Sequence, residues 1–143
     1  MAEYVNNAVQ LVESGQNVLL YDSLSCNRGY VIHDNGSGVF TLRGIVNNPC
    51  GNFARYTVTF NGNIAIPTGG TVDPISVAIA VNGEARQTSR AIVTPAGVDE
   101  YFNVTSTAII TVPTGCCLTI AVENISAEAI NVQNANLVIT RTA

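Results

Sequence analysis

Charged side chains are scarce in this sequence, and lysine and tryptophan are absent from it. Only 11% of the 143 residues are charged, all six basic residues are arginine, and the formal net charge is −4. An average soluble domain has about 25% charged residues. A chain with so few charges has little area facing water, or has surfaces that partners cover, and both favour an oligomer. A monomer with a neutral polar surface is the alternative.

Basic runs, long apolar runs and a secretory leader are missing as well. Without a basic patch the electrostatic footprint of nucleic-acid binding is absent, so we expect no nucleic-acid partner. No stretch reaches the roughly 18–20 apolar residues that cross a bilayer, so we expect no membrane partner. Met1-Ala2-Glu3-Tyr4 has no positive n-region and no apolar h-region, and we expect no classical secretion.

What the sequence does contain is the period of two that is typical of β-strands. Tyr56, Val58 and Phe60 alternate with threonines. The same alternation recurs in residues 75–81, 118–124 and 136–141. Shorter strands are predicted over residues 8–12, 17–21, 38–43, 90–93 and 104–112. No segment has a sustained helical period.

Turn-forming dipeptides and tetrapeptides separate these strands. Asn82-Gly83 is the strongest hairpin signal, because a type I′ turn needs positive φ at both central residues. Other turn formers are Ser14-Gly15, Asn35-Gly36, Asn61-Gly62, Pro67-Thr68-Gly69-Gly70 and Pro113-Thr114-Gly115. Residues 1–143 are therefore predicted to form one all-β domain, a sandwich or a barrel.

Two consecutive segments carry a resemblance to a known superfamily. Gly36–Gly44 holds Val39-Phe40-Thr41-Leu42, and Phe53–Phe60 follows it with an aromatic and an alternating Val/Phe face. This order resembles the jelly roll shared by the complement first-component globular head and tumour necrosis factor. Ala135–Arg141, as a final strand, resembles the bacterial and phage branch. That branch includes the C-terminal domains of collagen-like exosporium glycoproteins and phage head-fibre or decoration proteins.

This resemblance implies a jelly-roll β-sandwich of about ten strands that assembles as a compact homotrimer on the surface of a virion or a spore. We expect a non-enzymatic structural or display module with an adhesive role. Its expected partners are copies of itself, a capsid or spore-coat protein, and a cell-surface glycan. A carbohydrate- or receptor-binding tip is the alternative function. A metal-dependent jelly-roll enzyme is a third candidate, but it needs several histidines and the sequence has one.

Two groups of residues are candidates for contact with partners. Ser76, Ala78 and Ala80 occupy the predicted outward positions of one strand, where small uncharged side chains suit packing against a neighbouring subunit; a plain sheet face is the alternative. Asp99, Glu100 and Tyr101 combine carboxylates with an aromatic ring, which suits a sugar. Tyr101 and its neighbour Phe102 are equally consistent with core positions at the start of a strand.

The residues that carry most enzyme chemistry give no catalytic pattern. His33 is the only histidine, and its neighbour Asp34 cannot form a dyad with it, since successive strand residues point to opposite faces. No catalytic residue, metal or other cofactor is therefore predicted. Three glycosylation sequons begin at Asn35, Asn103 and Asn124, and we interpret them as chance matches in a chain rich in Asn and Thr.

Four cysteines are present without a Cys-x-x-Cys pair, so their spacing predicts no metal site. One interpretation is that they are small buried apolar residues in a reduced chain. The other is a disulfide between Cys50 and either Cys116 or Cys117, or a contact between subunits. The fourth cysteine is Cys26.

Overall fold

A computed structural model describes residues 2–24, 29–46, 52–115 and 117–142 of the chain. These residues contain twelve strands and one short 3₁₀ turn, Gln87–Ser89. The strands are β1 Ala2–Asn6, β2 Gln10–Val12, β3 Tyr21–Leu24, β4 Val31–His33, β5 Phe40–Arg43, β6 Phe53–Ala65, β7 Ile75–Val81, β8 Glu84–Ala85, β9 Ala91–Val93, β10 Phe102–Pro113, β11 Cys117–Asn124 and β12 Ile130–Arg141. No helix in these ranges is long and apolar enough to cross a bilayer.

The strands form two antiparallel sheets. The first sheet has the order β10-β6-β12-β1-β3, and β2 pairs with the start of β12. The second has the order β4-β5-β11-β7-β8, and β9 also pairs with β7. The chain crosses between the sheets from β3 to β4, β5 to β6, β6 to β7, β9 to β10, β10 to β11 and β11 to β12. This topology confirms the predicted jelly-roll sandwich.

The core lies between the sheets and is filled by alternate residues of the long strands. Tyr56, Val58 and Phe60 of β6 are fully buried, as their alternation with threonine predicts. Ile110 and Leu137 meet them from β10 and β12. Each such side chain contributes about 1.5–3 kcal/mol by leaving water.

The element boundaries depart from the sequence prediction in a few places. Asn61-Gly62 is not a turn, because β6 continues through it. A Cβ at Gly62 would lie 2.9 Å from Cζ of Phe60, so glycine is needed there for close packing. Asn82-Gly83 does form the predicted hairpin turn, with φ of 52° and 82°. Strands β1, β4 and β8 were missed, and β3 begins where the strand predicted over 17–21 ends.

The edges of the two sheets are bonded to each other on both sides of the sandwich. On one side the N–H of Leu20 donates to the carbonyl of Ser37 at 3.2 Å. On the other side Nη1 of Arg86 donates to the carbonyl of Ile109 at 2.8 Å. The hydroxyl of Ser106 also donates there, to the carbonyl of Ser89. These bonds leave less free sheet edge than an open sandwich has.

A buried amide joins the two sheets near one end. Asn124 is 0% exposed, and its Nδ2 donates to the carbonyls of Val12 and Glu128, both at 2.9 Å. Its Oδ1 accepts the N–H of Ser126 at 2.9 Å. The hydroxyl of Ser126 in turn accepts the N–H of Ser76 at 2.8 Å. This sequon is therefore a packing element that ties β2 of the first sheet to β11 and β7 of the second.

Replacing Asn124 with aspartate tests this role. Asn124→Asp removes both donors and sets a carboxylate against two carbonyl oxygens, so we expect it to lower the unfolding free energy by about 2–4 kcal/mol. Urea denaturation at neutral pH measures this. Asn134→Asp is the matched control, because Asn134 is exposed and its φ of 55° suits aspartate. It should change stability by less than about 0.5 kcal/mol. Equal losses in both variants would contradict the assignment.

Candidate functional site

The outward side of the first sheet is broad and carries few charges. Residues of β10, β6, β12 and β1 lie side by side on it, and one central row is Thr107, Thr59, Val138 and Glu3. Among the outward side chains of these four strands the charged ones are Glu3 and Arg55. We call twelve of the uncharged ones the neutral face: Val5, Thr57, Thr59, Asn61, Asn63, Asn103, Thr105, Thr107, Ile109, Asn136, Val138 and Thr140.

Polar groups on the neutral face bond to each other across the strands. Nδ2 of Asn103 donates to Oδ1 of Asn63 at 3.1 Å, and Oγ1 of Thr105 donates to Oδ1 of Asn61 at 3.3 Å. Amides and hydroxyls both donate and accept, so identical copies of such a side chain can bond one another. Identical carboxylates or guanidinium groups repel. The neutral face is thus chemically suited to meet a copy of itself.

Ser76, Ala78 and Ala80 lie elsewhere, on β7 of the second sheet, and are only 1%, 0% and 1% exposed within the single chain. Ser76 is hydrogen-bonded within the chain. Its Oγ accepts from Nε of Arg90 at 3.3 Å, and its N–H donates to the hydroxyl of Ser126. The row alternates with the core residues Val77 and Ile79, but it is already covered within the single chain. Contact of these residues with a neighbouring subunit stays a prediction, but it has lost its original reason.

Two loops meet at one end of the sandwich, and we call loops 66–74 and 94–101 the loop end. The N–H of Asp99 donates to the carbonyl of Ile66 at 2.8 Å, and Oγ1 of Thr68 donates to Oδ2 of Asp99 at 2.5 Å. Asp99 thus holds the loops together. Asp99 and Glu100 are exposed, as are Tyr101 (38%) and Phe102 (40%). The predicted ligand residues therefore lie at the surface, and neither aromatic ring is a core residue.

The single histidine is bonded on both ring nitrogens. Nδ1 of His33 lies 2.7 Å from Oδ1 of Asp22, and Nε2 lies 2.8 Å from the carbonyl oxygen of Ser37. The ring stacks on Phe40 at 4.2 Å between centroids and meets the edge of Tyr4 at 4.8 Å. Its acidic partner is Asp22 and not the adjacent Asp34. Sequence reasoning missed this pair, because β3 and β4 belong to different sheets.

The opposite end of the sandwich holds the C-terminal end of the described chain. There the N–H of Thr142 donates to the carbonyl of Arg55 at 2.8 Å. The buried hydroxyl of Tyr56 donates there to the carbonyl of Arg43 at 2.6 Å. Burial raises the pKa of Tyr56 above the ordinary value for tyrosine.

Of the cysteines, only Cys117 belongs to the described residues, and it is exposed opposite Arg43 in the register of β11 and β5. Cys26, Cys50 and Cys116 lie outside the described residues. The disulfide therefore stays a prediction.

No family model and no curated protein matches the sequence. Solved structures do match the fold. The globular domain of zebrafish complement 1qA protein is 12% identical, with a TM-score of 0.60 and coverage of 96% of this chain and 94% of that one. Eiger TNF from S. frugiperda is 12% identical, with a TM-score of 0.68 and coverage of 99% and 91%. The chain therefore has the complement-head and TNF-like jelly-roll fold.

The buried hydroxyl of Tyr56 gives a pH-dependent prediction. Tyr56→Phe should lower the unfolding free energy by about 1–2 kcal/mol at neutral pH, because a carbonyl loses its donor. Since folding raises this pKa, the contribution is intact below about pH 10, the ordinary tyrosine pKa, and is lost as the pH rises further. Above about pH 10 the unfolding free energy of the wild type, measured by urea denaturation, should therefore fall more steeply with pH than that of the variant.

The exposed Tyr101 supplies the control. Tyr101→Phe should change stability by less than about 0.5 kcal/mol at neutral pH. Parallel alkaline profiles for wild type and Tyr56→Phe would show that the buried hydroxyl contributes nothing to the pH dependence.

Proposed function

We propose that this chain is a non-catalytic subunit of a homotrimer that displays its loop end on the surface of a phage particle or bacterial spore. The neutral face is the observation that carries the proposal. A cyclic trimer brings the same surface of three copies around one axis, so its central side chains meet identical side chains. The hydroxyls and amides around Thr59 and Asn61 suit that position, whereas a row of charges would not.

The position of the chain end relative to the loop end supports the proposal that the loop end is displayed. Thr142 lies at the end of the sandwich opposite to loops 66–74 and 94–101. Attachment through this end of the chain would therefore leave the loop end pointing away from the particle. The particle itself is supported by the resemblance of Ala135–Arg141 to exosporium and phage head-fibre domains.

The state of the acid–base groups supports a non-catalytic role. Both ring nitrogens of His33 are engaged, and its side chain is 1% exposed. Asp99 is engaged in joining two loops. Within the described residues no three His, Cys, Asp or Glu side chains lie together as a metal site would need. A general base must reach its substrate, and His33 cannot do so where it lies.

A charge on the neutral face tests the assembly. The wild type should sediment at three times the subunit mass of 15.0 kDa. Thr59→Arg sets a guanidinium group in the centre of the face, and we expect it to weaken self-association by about 100-fold or more. Sedimentation velocity at micromolar concentration measures this.

Thr41→Arg is the matched control, because Thr41 is a half-buried threonine on a central strand of the other sheet. It should leave the trimer intact. A wild type that sediments as a monomer, or equal dissociation by both variants, would refute the assignment of the interface.

A glycan-binding loop end is the second candidate, favoured by the exposed Tyr101 and Phe102 beside Asp99 and Glu100. Aromatic faces and carboxylates together suit a sugar ring. On a glycan array, Tyr101→Ala should reduce binding to any glycan hit by about tenfold, because the ring face is lost. Phe53→Ala removes an exposed ring at the other end and should not reduce it. An array without hits for the wild type would remove the support for this candidate.

A further inference from the structure

Two charged side chains point outward from the four strands that carry the neutral face, and they have opposite signs. Glu3 extends from β1 and is partly buried, whereas Arg55 extends from β6 and is exposed. Their charges cancel, so this side of the sheet has no net charge. A buried ion is tolerated only when an opposite charge and hydrogen bonds compensate it. If the neutral face is covered by another copy, each of these two ions therefore needs its opposite.

The two ions lie far apart within one copy. Glu3 stands opposite Val138 in the register of β1 and β12, and Val138 stands opposite Thr59 of β6. Arg55 lies four residues before Thr59 on that strand. The offset is two strand spacings across the sheet and four residues along it, which places the two Cα atoms about 16 Å apart. Because both side chains point the same way out of the sheet, a contact between these ions has to join two different copies.

An uncharged neighbour orients each of the two ions. Oε2 of Glu3 accepts from Nδ2 of Asn136 at 2.8 Å. The guanidinium carbon of Arg55 lies 4.9 Å from the centroid of the Phe53 ring, and the backbone carbonyl of Arg55 accepts from the N–H of Thr142. A guanidinium group that stacks on a ring keeps N–H donors for a carboxylate. Arg55 is therefore oriented in advance and can still form a bidentate pair.

Rotational symmetry decides which groups of the copies can meet. In a cyclic trimer a group on the axis meets its own copies, whereas a group away from the axis meets a different group of the next copy. Three copies of Glu3 in contact would repel each other, and so would three copies of Arg55. A buried position for both ions is thus favourable only away from the axis. There Glu3 of one copy can face Arg55 of the next, all the way around the ring.

We propose that Glu3 of one subunit forms an ion pair with Arg55 of the next subunit, and that this pair fixes the orientation of the copies. The inference rests on the proposed trimer and adds a directional contact to it. Hydroxyls and amides bond in many registers, because each of them both donates and accepts. An ion pair selects one register, since any other leaves a charge buried without its opposite.

Charge reversal tests the pair. Glu3→Arg sets two guanidinium groups against each other, and Arg55→Glu sets two carboxylates against each other. We expect each single variant to weaken the trimer by about tenfold or more, and the double variant to recover to within about threefold of the wild type. Sedimentation velocity at about 0.1 M salt, where screening acts over about 10 Å, measures this.

The outcomes separate this pair from the trimer itself. A wild-type trimer whose double variant does not recover overturns the pair and leaves the proposed trimer standing. A wild type that sediments as a monomer overturns both. Arg43→Glu and Glu84→Arg are matched controls, because both residues are exposed on strands of the second sheet. Each should leave the trimer intact, and losses equal to those of the test variants would show a general effect of charge and overturn the pair.

Neutral variants keep the test decisive where a reversal variant does not fold. Glu3→Gln keeps an oxygen for Asn136, and Arg55→Gln changes an exposed position, so both should fold, which urea denaturation checks. If the ions pair, the second substitution costs little once the first has been made. The double variant should then lose no more affinity than the weaker of the two single variants. Losses that multiply in the double variant would show that the two residues act independently and would overturn the pair.

Discussion

The period of two in a β-strand is the constraint on which this molecule depends. Each strand of a sandwich sends alternate side chains into the core and the others outward. In β6, Tyr56 and Phe60 go inward, and Thr59 and Asn61 go outward. Because the chain has so few charges, the outward set is made of hydroxyls, amides and small apolar groups. The same strands therefore build the core with one side and a face fit for association with the other.

This constraint is local, so sequence alone predicts much of it. The buried residues of β6, the hairpin at Asn82-Gly83 and an all-β sandwich or barrel follow from alternation and turn chemistry, and the jelly roll was implied by the resemblance. Which groups cover the side of a strand that faces away from the core is not determined by the local sequence. Ser76 alternates like an outward residue, yet Arg90 and Ser126 of the same chain bond to it. Asn61-Gly62 has the composition of a turn, but it pairs with Thr105 and Val104 of β10 and so is part of a strand.

The polar contacts are the features that the sequence predicts least well. Asn124 and Val12 are 112 positions apart, and their bond exists only because β11 and β2 meet in the folded chain. Asp22 reaches His33 across two sheets, although Asp34 is the neighbour in sequence. Residue type did indicate that such groups need partners once buried. Only the topology decides which partners they find. It therefore also decides that the sequon at Asn124 has a packing role and that both ring nitrogens of His33 have partners.

The two sides of the sandwich are closed by chemically different bonds. On the β10 side, the side chains of Arg86 and Ser106 donate to backbone carbonyls. On the β3 side, the N–H of Leu20 donates to the carbonyl of Ser37, and the side chains of Asp22 and His33 meet. The closure on the β10 side thus depends on two side chains, whereas the closure on the β3 side combines a backbone bond with a contact between two side chains.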